Sequence, residues 1–286
     1  MKATVKWVQL SSLNLDALTL EKRSTIVENT QFHQEFGKML RKMTALTELS
    51  MKRLSWCVMI SGVVPALPPQ LEVLDLSYNY VYVSHLCKVL SRMTNLRGLD
   101  MNLCRFYNHE VASLTSCLAN CPALTSLRMN GLLLSSGVTQ LSALVMGLTQ
   151  LQLLHLEFCN MEDHHVAELV RSLYHHHHLT SLSLSGNFLA NESGQALVEW
   201  PQLLCLEEVG LNKHRVYRIP VSDTSMVEEA LQQSLCFRRI VEHLGSEITF
   251  QNATWEACQR NAIRHTTLLS ITDDPKMVKG SILCTK

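Results

Sequence analysis

Leucines and their apolar substitutes fall along this chain in a six-residue figure, L-x-x-L-x-L, that returns at nearly even spacing. It reads Leu71-Glu-Val-Leu74-Asp-Leu76, Leu96-Arg-Gly-Leu99-Asp-Met101, Leu124-Thr-Ser-Leu127-Arg-Met129, Leu151-Gln-Leu-Leu154-His-Leu156 and Leu179-Thr-Ser-Leu182-Ser-Leu184. Weaker copies begin at Leu15 (Leu15-Asp-Ala-Leu18-Thr-Leu20), Leu46 and Leu206, so successive starts are separated by 31, 25, 25, 28, 27, 28 and 27 residues. Alternation inside the figure predicts a short strand of about six residues with one buried face. Beyond it the period changes. Val83, Leu86 and Leu90, then Val111, Leu114 and Leu118, then Val138, Leu141, Leu144, Val145 and Leu148 lie three and four apart, which predicts helices. Another helix is expected over 32–43, and Asn108, Asp163 and Asn191 stand where N-caps belong.

One strand and one helix cannot enclose their own leucines, so neighbouring units must cover them. The expected fold is therefore α/β: a solenoid, drawn as a horseshoe, with an inner parallel sheet, outer helices, about eight repeats and terminal caps. Three residues beyond the last apolar position of the central figures come Asn79, Cys104, Leu132, Cys159 and Asn187. Asn79, Cys104, Cys159 and Asn187 are read as structural turn residues, able to bond backbone groups between stacked turns or to fit there as small thiols. The expected layout is one solenoid domain over 1–286. It has an N-terminal cap and irregular first repeat over 1–45, repeats over 46–243, a C-terminal cap over 244–272 and a loose tail over 273–286.

Intervals near 28, a strand figure closed by Asn or Cys, and a full helix per unit resemble leucine-rich repeats of the ribonuclease-inhibitor type over roughly 15–235. The junction Leu118-Ala-Asn-Cys121-Pro122-Ala-Leu124-Thr-Ser-Leu127 is also similar to the cysteine-containing repeats of F-box adaptors. The resemblance extends to the sensor ends of NOD-like receptors. It implies a module that binds other proteins, with a substrate-recognition subunit of a ubiquitin ligase or an enzyme regulator as alternatives.

The 49 leucines and balanced charge, 25 basic against 25 acidic side chains with pI near 7.2, exclude a disordered acidic tail or basic nucleic-acid arm. Nucleic acid is not an expected partner. Lys213, His214, Arg215, Tyr217 and Arg218 read as a solvated loop within 212–223. No signal-length apolar run follows Lys2 and Lys6, and the uncharged stretch between Arg128 and Glu157 is interrupted by polar residues, so neither export nor membrane insertion is expected. Ten scattered cysteines are read as buried thiols, with Cys117 in the core. The expected location is the cytoplasm, with the nucleus as alternative, and the expected state is a monomer apart from its partner.

His175–His178 and the pair His164 and His165 invite a metal reading, but adjacent side chains on a connection diverge, and no metal or cofactor is expected. No phosphate-binding loop, dinucleotide fingerprint or G-x-S-x-G is present, and no catalytic residue is assigned. Function is expected on the inward-facing columns, with Asp75, Tyr78, Asp100, Arg128, His155, Glu157 and Phe158 binding a protein through the concave face or rim. An enzyme would have to join His155 to Asp100 or Glu157 in a cleft.

Overall fold

The computed structural model describes residues 9–17, 26–54, 63–189, 191–200, 202–203, 206 and 208–211. The loop over 212–223, the cap over 244–272 and the tail over 273–286 lie outside the described residues. The chain divides into two compact units, Met1–Leu132 and Leu133–Lys286. In the first, strands β1 (Ser12–Asn14), β2 (Glu48–Ser50), β3 (Val73–Asp75), β4 (Gly98–Asp100) and β5 (Ser126–Arg128) pair in chain order, all parallel. Helices α1 (Ile26–Lys42), α2 (Val83–Leu90) and α3 (Val111–Leu118) run between them. The second unit carries α4 (Val138–Gly147), β6 (Leu153–His155), α5 (Asp163–Ser172), β7 (Ser181–Ser183), α6 (Asn191–Glu199) and β8 (Glu208–Gly210), its strands again parallel and in order.

Register follows the figure. Leu49, Leu74, Leu99 and Leu127 are successive partners in the first unit, as are Leu154, Leu182 and Val209 in the second, and none is more than 3% exposed. Strands of three residues have little ladder of their own. Each sealed leucine contributes about 1.5–3 kcal/mol by leaving water, so the shared core, packed against Leu86, Val89, Leu114 and Leu118 or Val145, Val166 and Leu169, holds each unit together. The ladder runs on into the turns: Leu76 donates to Asp100 O at 2.8 Å and Tyr78 to Asn102 O at 2.7 Å.

The first repeat differs from its expected frame. Leu10, Leu13, Leu15, Leu18 and Leu20 satisfy the figure twice in overlap, and even spacing favours the copy starting at Leu15. The structure takes the earlier copy: Leu13 is the partner of Leu49 and Asn14 of Ser50, while 18–25 lie outside the described residues. Asp16 locks that frame by accepting the Ser50 hydroxyl at 2.5 Å and the Lys52 N–H at 2.9 Å.

Two further expectations are corrected. Cys117 is not a core thiol: it forms a disulfide with Cys87, 30 residues away, because the pair sits on the neighbouring helices α3 and α2. Asp163 is the first residue of α5, whose cap is Glu162, and its carboxylate instead accepts the Glu192 and Ser193 N–H groups of α6 at 2.9 and 3.0 Å. It caps the next repeat's helix rather than its own. Among the described residues, no helix is long and apolar enough to cross a membrane.

Candidate functional site: the strand face and its turn edge

Alternation along each strand turns the residues beside the buried leucine onto the opposite face of the sheet. In the first unit the register aligns Asn14, Ser50, Asp75, Asp100 and Arg128 there. Their charges are already matched. Lys52 Nζ lies 2.9 Å from Asp75 Oδ2, and Arg128 Nη1 lies 3.2 Å from Asp100 Oδ1. The bond from Asp75 pushes the Lys52 ammonium up from its ordinary pKa, and burial raises the Asp100 carboxyl despite Arg128. Asp75 itself is only 7% exposed.

In the second unit the equivalent strand positions carry different chemistry. His155 is 8% exposed, with Nε2 2.8 Å from Ser181 Oγ, and Ser183 donates to Glu157 Oε1 at 2.6 Å. Asp75 and His155, placed by the sequence reading on an open face, are thus buried by neighbours one repeat away. An enzymatic arrangement of His155 with Glu157 finds Glu157 accepting from Ser183, and Asp100 is paired with Arg128.

What stands open at Tyr78, Leu103 and Phe158 is the turn that follows the strand. Ala17, Arg53, Tyr78, Leu103, Gly131, Phe158 and Gly186 occupy one equivalent position, and all have left-handed backbones, with φ between 50° and 74°. Only glycine adopts that region freely. Tyr78, Leu103 and Phe158 are 44, 47 and 43% exposed there. Each has a neighbour in stacking order. Arg53 sits 4.5 Å over the Tyr78 ring, a Cβ at Gly131 would run into the Leu103 side chain, and one at Gly186 would run into the Phe158 ring.

Just past this position the expected turn residues are buried. Asn79 donates to Met51 O and Leu76 O, both at 2.7 Å, and accepts from Leu54 N at 3.0 Å. Asn187 donates to Leu156 O and Leu184 O at 2.8 Å and accepts from the Cys159 and Met161 N–H groups at 3.0 and 3.1 Å. The Cys104 thiol reaches Leu76 O at 3.1 Å and the Cys159 thiol reaches Glu157 O at 3.3 Å. Burial pushes the Cys104 thiol up to about 12, so it is an inert group and not a nucleophile.

The sequence reading missed an aromatic edge beside Tyr78. Tyr80 meets Tyr82 and Tyr107 edge-on, with centroids 5.3 and 6.4 Å apart, Tyr82 lies by His85 and Tyr107 stacks on His109. Tyr82 and Tyr107 are 43 and 57% exposed. Its bond with Tyr107 pushes Tyr80 up to about 12. The signal was the alternating Tyr78-Asn-Tyr80-Val-Tyr82, which lies beyond the leucine figure and so escaped a search framed on it.

The histidine run is not one feature. His175, His177 and His178 are exposed, whereas His176 is 1% exposed, with Nε2 2.8 Å from Val145 O. Burial lowers its pKa, so the ring is held neutral, donating from Nε2 to a carbonyl of the last turn of α4.

Stacked parallel strands with one buried leucine or valine per register step, a helix in most of the described returns and a buried Asn or Cys at four strand exits decide the architecture. The fold is an α/β leucine-rich-repeat solenoid. Similar solved structures include an internalin from Listeria monocytogenes (16% identity, TM-score 0.41, covering 68% of this chain and 46% of that one). The leucine-rich repeat-containing protein LegL7 from Legionella pneumophila matches at 16% identity with TM-score 0.38, over 75% of this chain and 79% of that one. A protein from Bacteroides fragilis matches at 13% identity with TM-score 0.45, over 78 and 70% of the two chains. The solenoid therefore spans less than half the length of the internalin. No protein-family model and no curated protein matches the sequence.

Proposed function

We propose that this solenoid is a non-enzymatic interaction module that binds a partner protein through the turn edge bordering its strand face. The observation that carries the reading is the conformation of Tyr78 and Leu103 in the first unit. Both are large, apolar, exposed and held in a left-handed backbone. That conformation costs an L-residue about 1–2 kcal/mol, and Gly131 at the equivalent position avoids it. Retaining bulky side chains there sacrifices stability for a surface, and strain of that kind is a pointer to function. Exposed aromatics with arginines near them are the usual anchors of protein interfaces, and Tyr82, Tyr107 and Arg53 supply both kinds of group beside Tyr78. The paired charges behind the edge, Lys52 with Asp75 and Arg128 with Asp100, then set register and exclude mismatched partners rather than provide most of the affinity.

The test is affinity capture followed by titration of the captured partner against the single changes Tyr78→Gly and Leu103→Gly and their combination. The expected outcome is a loss of affinity of at least about tenfold for each, as for interface anchors, with folding retained. Unchanged affinity for the combined variant contradicts the reading. So does a partner displaced only by changes on the exposed helix positions Ser84 and Ser113. In this reading the protein acts as a monomer apart from its partner.

A further inference from the structure

We infer that Glu162, His164 and His165, at the start of α5, form a site for one borderline divalent metal ion of the zinc class. The site is independent of the partner-binding reading. Each of the three residues offers a ligand atom, and all three atoms lie within 4.8 Å of one another. Donors on one tetrahedral zinc lie about 3.4 Å apart at ordinary Zn–N and Zn–O lengths, so no pair has to close by more than about 1.4 Å. His164 Nδ1 is already 3.7 Å from Glu162 Oε2, and the two imidazole rings lie 3.9 Å apart, tilted by 43°.

The helix start arranges these groups. Glu162 and His165 form a reciprocal cap, in which the Glu162 N–H donates to His165 Nδ1 at 3.2 Å and the Glu162 side chain accepts the His165 N–H. One carboxylate oxygen is enough for the Glu162 half of that cap, which leaves the other for an ion; on the His165 half the ion takes the place of the Glu162 N–H at Nδ1, because a ring that accepts there carries its proton on Nε2. The positive end of a helix disfavours a cation, but Glu162 and Asp163 place two carboxylates there. Asp163 cannot serve as a further ligand without releasing the Glu192 and Ser193 N–H groups of α6. Two imidazoles and a carboxylate select zinc-class ions over calcium or magnesium, and three protein ligands leave one position for water or for a group from outside the chain. The exposed His175, His177 and His178 belong to the opposite end of α5, about 15 Å away along a ten-residue helix, and His176 points into the core.

The test titrates the full, tag-free chain with zinc chloride against a chromophoric chelator, with cobalt substitution as a second, spectroscopic readout of the ligand set. Wild type is expected to take up one equivalent. His164→Asn, which leaves the cap intact, and Glu162→Gln are each expected to weaken uptake by about tenfold or more and to change the cobalt spectrum. The triple change of His175, His177 and His178 to Asn is expected to leave affinity and spectrum unchanged. No uptake at millimolar zinc, equal uptake by wild type and both single variants, or loss in the triple variant overturns the site.

Discussion

The two units fill the same repeat positions with different chemistry. At the buried turn three residues before each figure from Leu46 onward, Met43, Pro68, Met93 and Cys121 serve the first unit and Leu148, His176 and Leu203 the second, all of them buried. Cys121 reaches Leu90 O at 3.6 Å and His176 reaches Val145 O at 2.8 Å, each binding a carbonyl near the end of an earlier helix. Helix is tied to helix by a disulfide in the first unit and by the Asp163 cap and the Tyr174 hydroxyl on Ala196 O in the second. The strand face is an ion-pair ladder in one and a histidine and hydroxyl ladder in the other. The backbone therefore imposes a demand, a satisfied carbonyl or a filled turn, and leaves open which side chain meets it.

The largest effects should come where the units agree. Asn79→Ala and Asn187→Ala each strip partners from several buried backbone groups, each of which costs about 1–3 kcal/mol when unpaired. A loss of about 3 kcal/mol or more is expected for both in denaturant unfolding. A loss confined to one unit would mean that the turns are not equivalent.

The next effect should separate the units. Cys87→Ser, or reductant, removes a cross-link that closes 30 residues of chain, and about 2–4 kcal/mol is expected to go from the first unit alone. Amide exchange resolved by unit reads this directly: α2 and α3 should exchange faster while α5 and α6 keep their protection.

A pH effect should belong to the second unit. The folded state holds the His176 pKa below its ordinary 6.5, so between those two values the unfolded chain binds a proton that the folded chain does not. Stability is thus complete above the unfolded value and falls as pH drops through 6.5 toward the folded value. His176→Met, which takes the residue type of Met93, should change stability by under about 1.5 kcal/mol at neutral pH and flatten this part of the pH profile of unfolding. A pH dependence that survives the change would place its origin elsewhere.

The smallest effect on stability has the opposite sign. Tyr78→Gly relieves a left-handed residue and is expected to stabilise the first unit by about 1 kcal/mol or less while it weakens partner binding. A thermal melt and a binding titration on one sample check the trade. Destabilisation, or binding that survives, would remove the functional meaning given to the strain.

Most of the fold could be read in the sequence because the leucine figure is a packing requirement, and a residue that must be buried in every repeat leaves a period. The frame of the first repeat is ambiguous in sequence because overlapping leucines satisfy that requirement twice, and the Asp16 bonds to Ser50 and Lys52 belong to the earlier one. His176 stands in a run of four histidines on a connection, although alignment on the figure puts it in a column with Met93, Cys121 and Leu148. A buried donor to a helix end can take the place of an apolar side chain, and composition gives no sign of the exchange. The Cys87–Cys117 pair is hidden for a related reason, since pairing depends on which helix faces meet. Alternation along the strand assigns residues to its face but does not give their exposure. Whether Asp75 or His155 is open depends on side chains one repeat away, Lys52 and Ser181, 23 and 26 positions distant in sequence.

The central claim is that each figure's middle leucine stacks on that of its neighbour. Methyl-to-methyl nuclear Overhauser contacts in a leucine-labelled sample test it most directly. An unbroken series Leu13, Leu49, Leu74, Leu99 and Leu127 is expected in the first unit and a Leu154 to Leu182 contact in the second. Contacts from Leu49 to Leu18 in place of Leu13, or a series broken between Leu74 and Leu99, would contradict it.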